Sequence, residues 1–228
     1  MGFNRLVDSR YDALNSRTAN REMPRGVISK RAGAVFVIFT SMTFMAVTFQ
    51  LSWLCFILSP LALSLVFWYS LAKRYTAFTQ LFLGLAMAVA PIGGWLAAGG
   101  RVGLEPWLLG LAIGSWVAGF DVLYACQDFD FDRKYGLRSI PARYGIQGAL
   151  TISRSMHVLA VTALASLALV VPLGVVYLSG VAFVGALLAY EQSLVKANDL
   201  SRIKQAFDLN GYVGFVYLLV TAVALYVD

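Results

Sequence analysis

Apolar residues run in seven stretches of membrane length, each carrying at most one charged residue: Ala32 to Leu51, Trp53 to Leu71, Phe78 to Ala98, Trp107 to Cys126, Ala149 to Val171, Leu173 to Tyr190 and Asn210 to Val227. About 20 apolar residues are needed for a helix to cross a bilayer. Transmembrane strands would instead alternate apolar and polar positions over about ten residues, whereas these runs are apolar throughout and rich in Leu, Ala, Val and Gly. The pattern predicts an all-α fold, a polytopic membrane helix bundle with seven transmembrane helices. Composition agrees: 59% of the 228 residues are hydrophobic and only 13% are charged, against about a quarter in soluble domains. The mean hydropathy is +0.72.

The polar connections set the orientation. Of the 18 Lys and Arg residues, seven precede the first span, and Lys73, Arg74, Arg133, Lys134, Arg138, Arg143, Lys196, Arg202 and Lys204 follow the even-numbered spans. Arg101 alone lies in an opposite-side loop, and Arg154, just inside the fifth span, can reach back to the charged side. The positive-inside rule places the N-terminal segment in the cytoplasm and, with seven spans, the C-terminus outside. The net charge of +6 follows from that topology and implies no nucleic acid. Trp53, Trp68, Trp95 and Trp107 fall near span ends as interfacial anchors; Trp116 is a core residue. Cys55 and Cys126 lie within spans and pack as apolar residues. The charged first thirty residues do not read as a cleavable signal peptide.

Two acidic stripes stand out against this background. The first reads Asn4, Asp8, Asp12; the second reads Asp121, Asp128, Asp132 with Tyr124 between them. A spacing of four keeps side chains on one helical face. Carboxylates so aligned repel one another unless a cation lies between them, and a hard cation such as Mg²⁺ suits oxygen ligands. Each stripe is followed by basic residues: Arg17, Arg21 and Arg25 after the first, Lys134 and Arg138 with Ser139 after the second. That pairing suits a metal-bridged diphosphate, in which carboxylates hold the metal, the metal holds phosphate oxygens and guanidinium or ammonium groups neutralise the rest. A third segment, YSLAKRYT, places Tyr69 and Lys73 one turn apart at the same level.

On these motifs the chain resembles the UbiA superfamily of intramembrane aromatic prenyltransferases, nearest the 4-hydroxybenzoate polyprenyltransferase branch. The N-x-x-x-D-x-x-x-D stripe and its R-T-x-x-R-x-x-P-x-G run match Asn4, Asp8, Asp12, Arg17, Thr18, Arg21, Pro24 and Gly26. Y-x-x-x-K matches Tyr69 and Lys73. D-x-x-Y-A-x-x-D-x-x-x-D with G-x-[RK]-S matches Asp121, Tyr124, Ala125, Asp128, Asp132, Gly136, Arg138 and Ser139. The resemblance covers the chain as a single domain, 1–228.

What the resemblance implies is transfer of a polyprenyl group from a polyprenyl diphosphate to a small aromatic acid in ubiquinone or menaquinone biosynthesis. It implies an integral protein of the bacterial inner membrane with its site facing the cytoplasm. Asn4, Asp8, Asp12, Asp128 and Asp132 would be metal ligands for Mg²⁺. Arg17, Arg21, Tyr69, Lys73, Lys134, Arg138 and Ser139 would bind substrate. Asp121, Asp128 and Tyr124 would be catalytic, with Asp128 or Asp121 as the base that takes the ring proton after an allylic cation is attacked by the carbon ortho to a phenolic hydroxyl. The acceptor implied first is 4-hydroxybenzoate, with a futalosine-pathway acid next.

Departures from the pattern carry their own expectations. Family members have nine transmembrane helices, and only three residues precede Asn4, so the chain reads as N-terminally truncated, with Met1 either an internal methionine of a longer product or the start of a shortened paralogue. The first stripe is then expected to hang from a tail that frays. Arg5 stands where many members carry an acid. Among the remaining polar residues, Asp130 points away from its stripe, His157 is expected to make an interhelical hydrogen bond, and Glu191, Asp199 and Asp208 are expected in a solvated loop. A transporter would carry acids at mid-span beside broken helices; Ala90-Pro91-Ile92-Gly93-Gly94 is a possible break, without a charge. A CDP-alcohol phosphotransferase would need D-G-x-x-A-R, which is missing. A catalytically silent UbiA-like binding protein is the remaining alternative.

Overall fold

The computed structural model describes residues 1–101 and 103–227. Among them are nine α-helices and no β-strand. An amphipathic helix α1 (Gly2–Leu14) lies against α2 (Lys30–Leu51) and α3 (Trp53–Ala72). Next come α4 (Thr79–Ala97) and α5 (Glu105–Ala125), which continues through a 3₁₀ turn (Cys126–Asp128) into the short α6 (Phe129–Lys134). The chain closes with α7 (Ile140–Leu167), α8 (Val175–Ser193) and α9 (Ile203–Val227). Seven segments are long and apolar enough to cross a membrane: α2, α3, α4, α5 with its continuation to Lys134, α7, α8 and α9. These are the seven stretches read from the sequence, so the chain is an integral membrane protein.

The helices begin and end where their local chemistry permits. Ser29 caps α2 by accepting from Ala32 N at 3.1 Å, and Ser52 caps α3 by accepting from Cys55 N at 3.1 Å. Helix α7 starts at Ile140 rather than Ala149, because Ser139 accepts from Ala142 N at 3.3 Å and Pro141 fits the first turn. A kink at Gly145, whose φ of 72° suits a residue without Cβ, then redirects the helix. Ala90 to Gly94, a possible break on sequence grounds, lies inside an uninterrupted α4.

Between lipid-embedded helices the drive for contact is close packing, which small residues permit. Helix α5 is the hub, packed on α4 and α7. A Cβ on Gly84 of α4 would come within 2.2 Å of the Gly114 carbonyl oxygen on α5, so the two backbones touch. On the far side of α5, a Cβ on Gly119 would meet His157 Nε2 at 2.6 Å. Two apolar clusters follow. One surrounds Tyr177, Val184 and Leu188 between α5, α7, α8 and α9; the other, around Val122, Leu150, Ile140 and Ile203, stands at the end that carries the acidic stripes.

Several polar groups inside the bundle are paired across helices. Gln192 Nε2 donates to Ser153 Oγ at 2.7 Å and lies 3.1 Å from His157 Nδ1, and Ser153 donates to the Gly119 carbonyl at 2.7 Å. This is the interhelical role expected of His157. Trp116 Nε1 donates to Asn210 Oδ1 at 2.7 Å. Glu191 corrects its expectation: α8 runs to Ser193 and buries Glu191 completely, while Asp199 is exposed in a loop as foreseen and Asp208 is exposed but stands on α9 rather than in a loop. Just after α8, Leu194 and Val195 are buried in the second cluster with Ile203 and Ala206.

Candidate active site

A polar cavity of about 520 Å³ opens where α1, the end of α3, the start of α4 and the end of α5 meet. Asn4, Asp8, Tyr11 and Asp12 of α1 form one wall, and Asp121, Tyr124 and Asp128 form the opposite one. Tyr69, Lys73 and Arg74 from α3 and the residues just after it lie between them, and Asn15, Arg17 and Arg21 come from the α1–α2 connection. Four carboxylates and four cations thus share one space, and the two stripes read from the sequence face each other across it.

The first stripe sits on a helix that is anchored, which corrects the expectation of a fraying tail. Phe3 packs on Phe67 with ring centroids 4.5 Å apart, and Arg74 Nη2 donates to the Val7 carbonyl at 2.6 Å. Asn4 donates to Asp8 Oδ2 at 3.0 Å, and Arg74 reaches Asp8 Oδ1 at 3.4 Å. Arg21 pairs with Asp12 Oδ1 at 2.8 Å, while Asp12 Oδ2 is buried without a hydrogen-bond partner. Burial pushes the Asp8 carboxyl above the usual range, and the opposing pull of Arg74 and Lys73 does not offset it.

The second stripe is not one face of one helix. Helix α5 stops at Ala125, and the 3₁₀ turn separates Asp121, Asp128 and Asp132 into three environments. Asp121 lines the cavity with no ion pair or hydrogen bond to its side chain among the described residues. Asp128 is held by Arg17, with Nη2 to Oδ2 at 2.5 Å and Nε to Oδ1 at 3.2 Å, and by Asn15 Nδ2 at 2.9 Å. Arg17 Nη1 also points at the Tyr124 hydroxyl at 3.4 Å. Burial would lower the Arg17 pKa, but its bonds to Asp128 outweigh that and raise it. Asp132 is fully buried outside the cavity lining. Lys73 Nζ forms an ion pair with its Oδ1 at 2.7 Å, so Asp132 anchors Lys73 from behind.

Three residues assigned to substrate are placed elsewhere. Lys134 is exposed with its ammonium over the Tyr135 ring, and Arg138 donates to the Tyr75 carbonyl at 2.5 Å, bracing the loop after α3. Neither lines the cavity, and Ser139 is buried as the cap of α7. Arg5 is also outside the lining, and Asp130 is exposed as expected. Sequence reasoning missed Arg74, Tyr11 and Asn15. Arg74, whose guanidinium lies 5.8 Å from the Tyr11 ring centroid, was legible only as the neighbour of Lys73.

The fold and this cavity define a polytopic helical membrane protein that gathers acids and bases at one end of its bundle. The chain belongs to the UbiA prenyltransferase family, whose model matches residues 1–220. It is 34% identical over 220 residues to a 4-hydroxybenzoate octaprenyltransferase of Citrobacter koseri, covering 95% of this chain and 74% of that one. A 4-hydroxybenzoate octaprenyltransferase of an Enterobacter species is 33% identical, with the same coverage. Among solved structures, the apo UbiA homologue of Aeropyrum pernix K1 superposes with a TM-score of 0.89 at 34% identity, over 99% of this chain and 84% of that one. A UbiA homologue of Archaeoglobus fulgidus bound to GPP and Mg²⁺ shares the fold, with a TM-score of 0.67 at 18% identity, over 98% and 80% of the two chains.

Proposed function

We propose that the chain transfers a polyprenyl group from a polyprenyl diphosphate to 4-hydroxybenzoate, in quinone biosynthesis, at a site facing the cytoplasm of a bacterial inner membrane. The observation that carries this reading is the single cavity in which Asp8, Asp12, Asp121 and Asp128 meet Arg17, Arg21, Lys73 and Arg74. The names of the relatives support the acceptor, and the positive-inside rule supports the orientation.

Among the described residues no group of three His, Cys, Asp or Glu side chains is placed to hold a metal alone. The donors fit Mg²⁺ all the same, since it commonly takes one or two carboxylates and completes its shell with waters and substrate phosphates. The buried, unpartnered Asp12 Oδ2 is such a donor. Asn4, Asp8, Asp12 and Asp128 would hold it, and Asp132, behind Lys73, would not. When bound, Mg²⁺ supplies positive charge against the oxygens of the leaving diphosphate.

The chain's own residues do the rest. Lys73, Arg74, Arg17 and Arg21 converge on the space between the two walls and bind the diphosphate, and the charge that grows on it as the allylic C–O bond breaks is met by donors already in place. Asp132 holds Lys73 toward that space. Further along α3 and α4 lies a second, apolar cavity of about 500 Å³, walled by Ala62, Leu65, Leu85 and Ala88, which would take the prenyl tail and keep water from the allylic cation. After the ring attacks, Asp121 accepts its proton, because Asp128 is already engaged by Arg17 and Asn15. The test is prenylated product from membranes given Mg²⁺, polyprenyl diphosphate and 4-hydroxybenzoate. Product lost on chelation and in Asp121→Asn is expected; turnover that survives both would overturn the reading.

A further inference from the structure

A groove of about 490 Å³ runs between α7 and α8, and none of its residues lines the polar cavity. Val158, Val161 and Leu188 make its walls apolar. Gly185 leaves it open: a Cβ there would lie 3.5 Å from Val161 Cγ1, in ordinary contact, so larger side chains would fill the slot. Arg154, Val158 and Val161 follow one another at helical spacing on one face of α7. Arg154 is exposed and its guanidinium has no ion pair or hydrogen bond among the described residues.

The level of Arg154 in the bilayer is fixed by its neighbours. Gln192, one residue before α8 ends at Ser193, bonds Ser153, so Arg154 stands where α8 leaves the apolar layer, on the same side as the polar cavity. A cation on a membrane-facing surface is costly unless it meets an anion at the headgroup level. Gln192 lines the same groove at 8% exposure; its Nε2 is spent on Ser153 and His157, and its buried Oε1 has no partner. The groove therefore offers a guanidinium without a protein partner among the described residues and, beside it, an apolar slot.

We infer that this groove is a binding site for one anionic phospholipid of that leaflet, with its phosphate on Arg154 and an acyl chain along Val158, Val161 and Gly185. The site is separate from the chemistry and would hold α7 against α8.

Native mass spectrometry of the purified full chain, titrated with phosphatidylglycerol or phosphatidylcholine of the same acyl chains, tests it. One phosphatidylglycerol per chain is expected to bind preferentially. Arg154→Gln should weaken phosphatidylglycerol about fivefold, the effect of losing one cation near the headgroups, and leave phosphatidylcholine unchanged. Gly185→Leu should weaken both lipids by filling the slot, and Lys196→Gln, an exposed loop cation, should weaken neither. Equal retention of the two lipids by the unaltered chain, or an equal loss in Lys196→Gln and Arg154→Gln, would overturn the inference.

Discussion

The two acidic stripes share a spacing in the sequence and part company in the structure. In the first, Asn4, Asp8 and Asp12 ride one continuous helix and keep a common face, each steadied by a partner from another segment or its own turn. In the second, the 3₁₀ turn after Ala125 gives every carboxylate a different setting: Asp121 is free, Asp128 is clamped by Arg17 and Asn15, and Asp132 is buried behind Lys73. Equal spacing therefore does not mean equal roles. On the proposed function, the first stripe serves as a ligand set, whereas the second divides the tasks of base, ligand and anchor among its members.

Removing the free carboxylate should do the greatest damage. Asp121→Asn is expected to lower prenyl transfer by roughly 10²- to 10⁴-fold, the usual share of a positioned general base, without changing polyprenyl diphosphate binding measured by isothermal titration. A matching loss of binding would move Asp121 into the ligand set. Lys73→Met should be the most destabilising of the second-stripe changes, because it leaves Asp132 uncompensated in the interior, a cost of about 3–5 kcal/mol; thermal unfolding should show it, and Lys73→Met with Asp132→Leu should recover much of the loss. If the single variant melts like the unaltered chain, Asp132 is not an anchor.

Smaller effects sharpen the contrast from the other side. Asp8 is raised by burial, so the folded chain binds its proton more tightly than the unfolded chain does. The neutral carboxyl favours folding below the ordinary Asp pKa of about 3.9, and this contribution is lost as pH rises through the raised folded value. Without Mg²⁺, Asp8→Asn should therefore gain stability relative to the unaltered chain as pH rises through that window, and unfolding curves that keep a constant gap would contradict it. Smallest of all, exposed Asp130→Ala should change stability by no more than about 0.5 kcal/mol and leave prenyl transfer intact, despite its place between two stripe residues.

Much of this was legible beforehand, for identifiable reasons. A span announces itself because lipid tolerates few polar side chains over twenty residues, and all seven were readable to within a few residues at most ends. Starts such as Ile140 were not, because a Ser cap and Pro141 extend α7 through a charged stretch that hydropathy assigns to a loop. Asp121, Asp128, Arg17, Tyr69 and Lys73 were found by their motifs. The turn that splits the second stripe was invisible, since FDFDRK continues the helical spacing while the backbone tightens before it. Glu191 was misread because its sequence neighbours are loop charges, whereas α8 runs on past it to Ser193 and buries it. Arg74 was hidden because its partner Asp8 is far away in the sequence.

The touching backbones of Gly84 and Gly114 have one further effect. Gln80, Leu83, Ala86 and Met87, which wall the polar cavity, all stand on the same helix as Gly84. The distance between that wall and Asp121 on α5 is thus gauged by a contact of peptide against peptide, with no side chain between them to yield. A single methyl group at position 84 would act as a shim, widening the chamber without altering any residue that lines it, and the spacing between its two walls would be the first dimension to drift out of tolerance.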